Sequence, residues 1–129
     1  MSVLILVVDD EADVEDLFRQ RFRRDLRAER FQMEFACSAA DALARVAEAS
    51  ARSLILILSD INMPGMTGLD MLPQVKKIRP DVPVIMITAY GDDRTRQQAI
   101  ERGAMQLLTK PVDFDVLRRA IDTRIEQVA

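Results

Sequence analysis

Val3-Leu4-Ile5-Leu6-Val7-Val8 runs without interruption into Asp9-Asp10-Glu11, and the reading of that junction decides the fold. An unbroken apolar run rich in β-branched residues predicts a strand covered on both faces, which belongs at the centre of a parallel sheet. It is too short to span a bilayer, has no basic flank before it and meets three acids after it, so it is neither a membrane segment nor a secretory signal. Working outward, Leu54-Ile55-Leu56-Ile57-Leu58 and Val84-Ile85-Met86-Ile87 repeat the pattern. Gln32-Met33-Glu34-Phe35-Ala36 alternates and Met105-Gln106-Leu107-Leu108 is short and mixed, which suits the two edges of a five-stranded sheet.

Helical patterns fill the gaps. Val14, Leu17, Phe18, Phe22 and Leu26 form one apolar stripe and predict a single first helix. Ser38-Ala39-Ala40-Asp41 and Thr67-Gly68-Leu69-Asp70 resemble capping boxes with Asp in place of Glu, and mark the starts of the second and third helices. Pro73 predicts a bend or a late start in the third. Asp92 or Asp93 caps a fourth helix that ends before Gly103, and Asp113 caps a fifth carrying Val116, Leu117, Ala120, Ile121 and Ile125. The expected architecture is α/β: a single-domain (βα)5 doubly wound parallel sheet. Residues 1–129 contain no linker, internal repeat or low-complexity tract.

With 49% apolar and 30% charged residues, a chain of 129 hides roughly two thirds of its surface on folding and needs no disulfide or metal to hold a core. There is no histidine, which excludes Ser-His and Cys-His nucleophiles and the commonest transition-metal ligand. The only cysteine, Cys37, reads as a small buried apolar residue. Twenty-one acids against 18 bases leave a net charge of -3, which gives no overall attraction to nucleic acid or an anionic membrane. Arg19, Arg21, Arg23, Arg24, Arg27 and Arg30 spread around one helix and its exit, with Asp25 and Glu29 among them, and read as a solvated face. The seven methionines read as core filler, with any exposed ones available to a partner. The expected location is the cytosol.

Alternating strands and helices place a ligand crevice at the carboxyl ends of the strands. The residues due there are Asp9, Asp10 and Glu11, then Asp60 and Asn62, then Thr88, Ala89 and Tyr90, then Lys110 and Pro111. Carboxylates gathered in one place repel one another, and a hard divalent cation such as Mg²⁺ relieves this through Asp10 and Asp60, with Asp9 acting through a water. A carboxylate is also a competent nucleophile for phosphoryl transfer, with the Lys110 ammonium and the Thr88 hydroxyl sharing the charge on the transferred oxygens. No G-x-G-x-x-G or G-x-x-x-x-G-K-[ST] occurs, and the turn after the first strand is acidic, which argues against nucleotide and flavin sites.

Val7-Val8-Asp9-Asp10-Glu11, Ser59-Asp60-Ile61-Asn62-Met63-Pro64-Gly65-Met66-Thr67-Gly68, Ile87-Thr88-Ala89 and Thr109-Lys110-Pro111 follow one another in order after four strands. With these motifs the chain resembles the receiver domain of two-component (phosphorelay) response regulators, a chemotaxis-receiver-like family, over its whole length. The resemblance implies a flavodoxin-like fold with strand order 2-1-3-4-5. It implies Asp60 as phospho-acceptor and Mg²⁺ held by Asp9, Asp10, Asp60 and the backbone carbonyl of Asn62. Lys110 and Thr88 would contact the phosphate, Ala89 would leave the approach open, and the peptide before Pro111 would be cis.

The implied partners are a histidine kinase or histidine phosphotransfer protein, an output domain or effector protein, and a second copy through the surface of the fourth helix, fifth strand and fifth helix. Direct nucleic-acid and membrane partners are not expected. Two positions depart from the family pattern. Leu107 stands where an aromatic side chain usually moves with the threonine, and Tyr90 is bulky beside the site, with a longer-lived phosphoryl group as its expected consequence. Taken singly, Asp9-Asp10-Glu11 is more often a helix start than a metal site and Asp60 more often a turn or cap residue, and it is their combination with Lys110 and Thr88 that reverses the reading. A degenerate receiver serving as a phosphorylation-independent binding module is the alternative. An aspartyl-phosphate phosphatase of the haloacid-dehalogenase type requires an Asp two residues after the nucleophile, where this chain has Asn62. The final residues stop at a helix end, where an output domain often follows, so a complete regulator and a piece of a longer one are both open.

Overall fold

Side-chain alternation in the strands supplies two apolar faces, and the helices divide between them. The computed structural model describes residues 3–48 and 53–129. In chain order the elements are β1 (Leu4–Val8), α1 (Ala12–Arg21), α2 (Arg23–Arg27), β2 (Gln32–Ala36), α3 (Ala39–Ala47), β3 (Leu54–Asp60), α4 (Gly68–Ile78), β4 (Val84–Thr88), α5 (Asp93–Glu101), β5 (Gln106–Thr109) and α6 (Phe114–Val128). All strand pairs are parallel and the order is β2-β1-β3-β4-β5. The two strands expected at the edges are the edges.

Leu4, Leu6, Val8, Val84 and Met86 join α3, α4 and α5 in one core layer. Ile5, Val7, Ile85 and Ile87 join Phe18, Phe22, Leu117 and Ile121 of the α1 and α6 side in the other. One register shift between Leu4 and Ile5 of β1, against β3, skips Ile55 in the pairing, and Ile55 and Leu56 both fall in the second layer.

The predicted caps form. Ser38 accepts from the Asp41 N–H, Thr67 from that of Asp70, Asp92 from that of Thr95, and Asp113 from those of Asp115 and Val116. α4 begins directly after Thr67 and continues through Pro73, so the late start does not occur. A proline at that position removes one hydrogen bond, and fully buried Met71, Leu72 and Val75 hold the helix in place.

The single first helix is the expectation that fails. Phe22 leaves helical geometry at φ -105° and ψ 18° and divides the segment into α1 and α2, although its own N–H reaches Phe18 and its carbonyl takes the Leu26 N–H. Phe22 is fully buried against the rings of Phe18, Phe31 and Phe114, and aromatic packing fixes it at the break. Cys37 also corrects its prediction: it lies just past β2 and is exposed.

The arginines around this break are exposed, but not all are merely solvated. Buried Asp25 pairs with Arg30 and with Arg118 of α6, and Arg30 also reaches Asp122 at 2.6 Å. Burial pushes the Asp25 carboxyl up, but the hydrogen bonds and charges of Arg118 and Arg30 outweigh it and hold the group below the ordinary Asp value of 3.8. The ionised form is therefore favoured in the folded state. Its stabilisation is present above pH 3.8 and is lost as the pH falls through the lower, folded-state pKa. Asp25→Asn is expected to cost about 1.5 kcal/mol near neutrality, the low end for hydrogen bonds to charge because both guanidinium groups keep access to water. Urea denaturation of both proteins at about pH 7 and about pH 3 checks this, with the difference shrinking at the lower pH.

Candidate functional site

Four strand ends meet at one edge of the sheet and carry the site. Asp9 follows β1, Asp60 closes β3, Thr88 closes β4, and Lys110 follows β5. Backbone bonds fix each exit: the Asp9 N–H donates to Ala36 at 3.0 Å, that of Ile61 to Ile87 at 3.0 Å, and that of Lys110 to Thr88 at 2.8 Å. The Lys110–Pro111 peptide is cis.

Asp60 is 4% exposed. Its Oδ1 accepts the Asn62 N–H at 3.2 Å and its Oδ2 accepts Lys110 Nζ at 3.2 Å. The same ammonium lies 3.7 Å from Asp9 Oδ2, while Asp9 Oδ1 accepts the Glu11 N–H at 2.9 Å. Asp10 is exposed beside them, and Asp9, Asp10 and Asp60 each offer a carboxylate oxygen within 4.8 Å of the others. Thr88 is buried, and its Oγ1 accepts from the Tyr90 N–H at 3.1 Å and from Asn62 Nδ2 at 3.5 Å. Ala89 is exposed, and the Tyr90 side chain stands mostly in solvent.

The electrostatics follow from burial and crowding. Burial, and after it the charge of Asp60, raise the Asp9 carboxyl above its ordinary value against the opposing Glu11 N–H and Lys110. Burial pushes Lys110 down, but its hydrogen bond to Asp60 and the charges of Asp60, Asp9 and Glu11 outweigh that and leave it raised. Among the described residues, Asp9, Asp10 and Asp60 gather their carboxylates at this edge, and the Lys110 ammonium pairs with two of them, Asp9 and Asp60. This all-oxygen, anionic donor set fits a hard divalent cation of the Mg²⁺ type.

Two structural supports go beyond the sequence reading, which places Asn62 at the site only through its backbone carbonyl and gives Gly68 no role. The Asn62 amide bridges from the β3 exit to Thr88. Gly68, the first residue of α4, lies so close to the end of β3 that an added Cβ would sit 2.2 Å from the Asp60 carbonyl oxygen and 3.0 Å from Ile61 Cα. Both obstacles are backbone and cannot rotate away. Gly68→Ala is expected to cost about 1–3 kcal/mol by overpacking and to displace Asp60. Chemical denaturation gives the first effect, and backbone amide chemical shifts from Asp60 to Asn62 give the second. Gly65, with φ +76°, adopts the left-handed conformation in the loop between Asp60 and α4.

This parallel five-stranded sheet, in the order β2-β1-β3-β4-β5 and with acids clustered at the carboxyl edge, is the arrangement of signalling receiver domains. A family model described as the response regulator receiver domain matches residues 5–122, and the chain belongs to that family. It is 37% identical over 123 residues to the response regulator protein PilR of Pseudomonas aeruginosa, covering 93% of this chain and 25% of that protein. The chain thus spans about a quarter of the length of the curated relatives it matches. Among solved structures it is similar to a response regulator receiver domain protein from Clostridium thermocellum, with a TM-score of 0.84, 30% identity, and coverage of 97% of this chain and 95% of that one. It shares the fold of the Saccharomyces cerevisiae Ssk1 receiver domain in co-crystal with the histidine phosphotransfer protein Ypd1, with a TM-score of 0.79, 19% identity, and coverage of 93% and 86%.

Proposed function

We propose that the chain is a phospho-acceptor switch in which Asp60 takes a phosphoryl group from an external phosphohistidine. The observation that carries this reading is the placement of Asp60, nearly buried yet facing Asp9 and Asp10, with Lys110 Nζ at 3.2 Å. Mg²⁺, held by Asp9, Asp10, Asp60 and the backbone carbonyl of Asn62, would offset negative charge on the transferred oxygens. The Asn62 N–H orients one Asp60 oxygen and leaves the other to attack phosphorus. Lys110 then exchanges its contact with the carboxylate for one with the new phosphoryl oxygens. The Thr88 hydroxyl, already partnered by Tyr90 and Asn62, donates to the same group after a local rotation.

With no histidine in the chain, the donor is a separate histidine kinase or histidine phosphotransfer protein. The fold shared with a receiver seen in complex with a phosphotransfer protein supports that class of partner. The output surface is α5, β5 and α6, where Ile100 and Met105 are exposed, and it serves an attached output domain, a separate effector or a second copy. We assign residues 1–129 to this one domain and place it in the cytoplasm; among the described residues, no helix is long and apolar enough to cross a membrane.

Incubation with acetyl phosphate and Mg²⁺, followed by intact mass spectrometry, tests the reading. One added phosphoryl mass is expected, and none in Asp60→Asn. Absence of the adduct in the unaltered chain would favour the phosphorylation-independent module instead.

A further inference from the structure

A pocket of ≈ 350 Å³ opens beside the acceptor, between α1 and the loop that leads into α6. Asp60, Asp9 and Lys110 form one end, and the walls are apolar, with Val14, Leu17 and Phe18 from α1 facing Val112 and Phe114. That volume is in the range of small-molecule sites, and a lining of apolar walls with a few convergent polar groups is what such sites share. Arg21 also lines the pocket and stacks its guanidinium 5.1 Å from the centre of the Phe114 ring. Phosphoryl transfer to Asp60 needs only the polar end. The apolar remainder is suited to a leaving group with a sizeable hydrocarbon body.

We propose that this pocket seats the acyl portion of small acyl phosphates with a branched or aromatic acyl group, and that the chain accepts phosphate from these directly and prefers them to acetyl phosphate. The inference rests on Asp60 being the acceptor. In the step, an Asp60 carboxylate oxygen forms a bond to phosphorus while the bond between phosphorus and the donor's carboxyl oxygen breaks. The electron pair leaves with that oxygen, so the products are the aspartyl phosphate and a free carboxylate, and no proton, oxidant or reductant is required. A methyl group leaves most of the pocket to water, whereas a phenyl ring displaces that water and covers the apolar walls. Burial of a ring of that size corresponds to about a 10-fold or greater preference in rate at subsaturating donor.

The test compares benzoyl phosphate with acetyl phosphate, each with Mg²⁺, by the initial rate of phosphoprotein formation on intact mass spectra. The ratio of the two rates is measured in the unaltered chain and in Leu17→Trp. Leu17 is 42% exposed on the pocket wall, so the larger side chain narrows the cavity without overpacking the core. The expected result is a benzoyl-to-acetyl ratio of about 10 or more that falls several-fold in Leu17→Trp. An equal ratio in the two proteins, or equal slowing of both donors by the substitution, overturns the inference alone. If neither donor labels the unaltered chain, the acceptor reading fails and this inference falls with it.

Discussion

Lys110→Ala is expected to slow phosphoryl transfer to Asp60 about 100-fold, the cost typical of removing one preorganised donor from a site of developing negative charge. Lys110 Nζ lies 3.2 Å from Asp60 Oδ2 and 3.7 Å from Asp9 Oδ2, so among the described residues it is the ammonium placed to meet charge that spreads over the transferred oxygens. Its side chain is only about a third exposed (30%), and water replaces it incompletely. Stopped reactions with acetyl phosphate and Mg²⁺, resolved by mass, give the rate; an unchanged rate would remove Lys110 from this role.

Cation binding separates that loss from a general collapse of the site. Lys110 works against the burial and the Asp60 charge that raise the Asp9 carboxyl. Asp9 binds a cation only when ionised, so Mg²⁺ uptake weakens as the pH falls towards its raised pKa, which lies above the ordinary 3.8. In Lys110→Ala the same weakening is expected to begin at a higher pH, because one of the two influences that lower Asp9 is gone. Calorimetric titrations with Mg²⁺ across that acid range check the direction.

Phe22→Ala is expected to destabilise the fold by about 3–5 kcal/mol. The ring is fully buried, with the Phe18, Phe31 and Phe114 rings 6.1, 5.9 and 5.9 Å away and the Arg118 guanidinium 4.9 Å above it. Its neighbours come from α1, the segment before β2, and α6, and each is tied to its own element, so the cavity cannot close by a small movement. Against a total stability of about 5–15 kcal/mol, such a loss brings the chain near its unfolding threshold. Urea denaturation monitored by far-ultraviolet circular dichroism measures it. A loss below about 1 kcal/mol would show that the helical break at Phe22 relaxes to fill the space.

The two helices α1 and α2 show where sequence reading stops. Val14, Leu17, Phe18, Phe22 and Leu26 have the spacing of one helix, and spacing reports only which residues share a face. That Phe22 departs from helical geometry depends on Phe31, which lies beyond the helical segment, and on Phe114, which is remote in sequence. Cys37 fails for a similar reason: its residue type favours burial, but its position one step past the end of β2 leaves it at the rim. Asp25 is the converse, an acid in an arginine-rich stretch that is buried because Arg118 arrives from α6.

The sequence alone determined the five strands and their central or edge positions, because continuous and alternating apolar runs state how many faces of a strand are covered. It also named the helix caps, since a side-chain oxygen before a helical run has a local partner within three residues. Tertiary structure decided what depends on distance between remote segments: the approach of Lys110 to both Asp9 and Asp60, the bridge from Asn62 to Thr88, and the contact that permits no side chain at position 68. Charge, hydrogen bonding and steric exclusion act through space over a few ångströms, and residue order along the chain does not carry those separations.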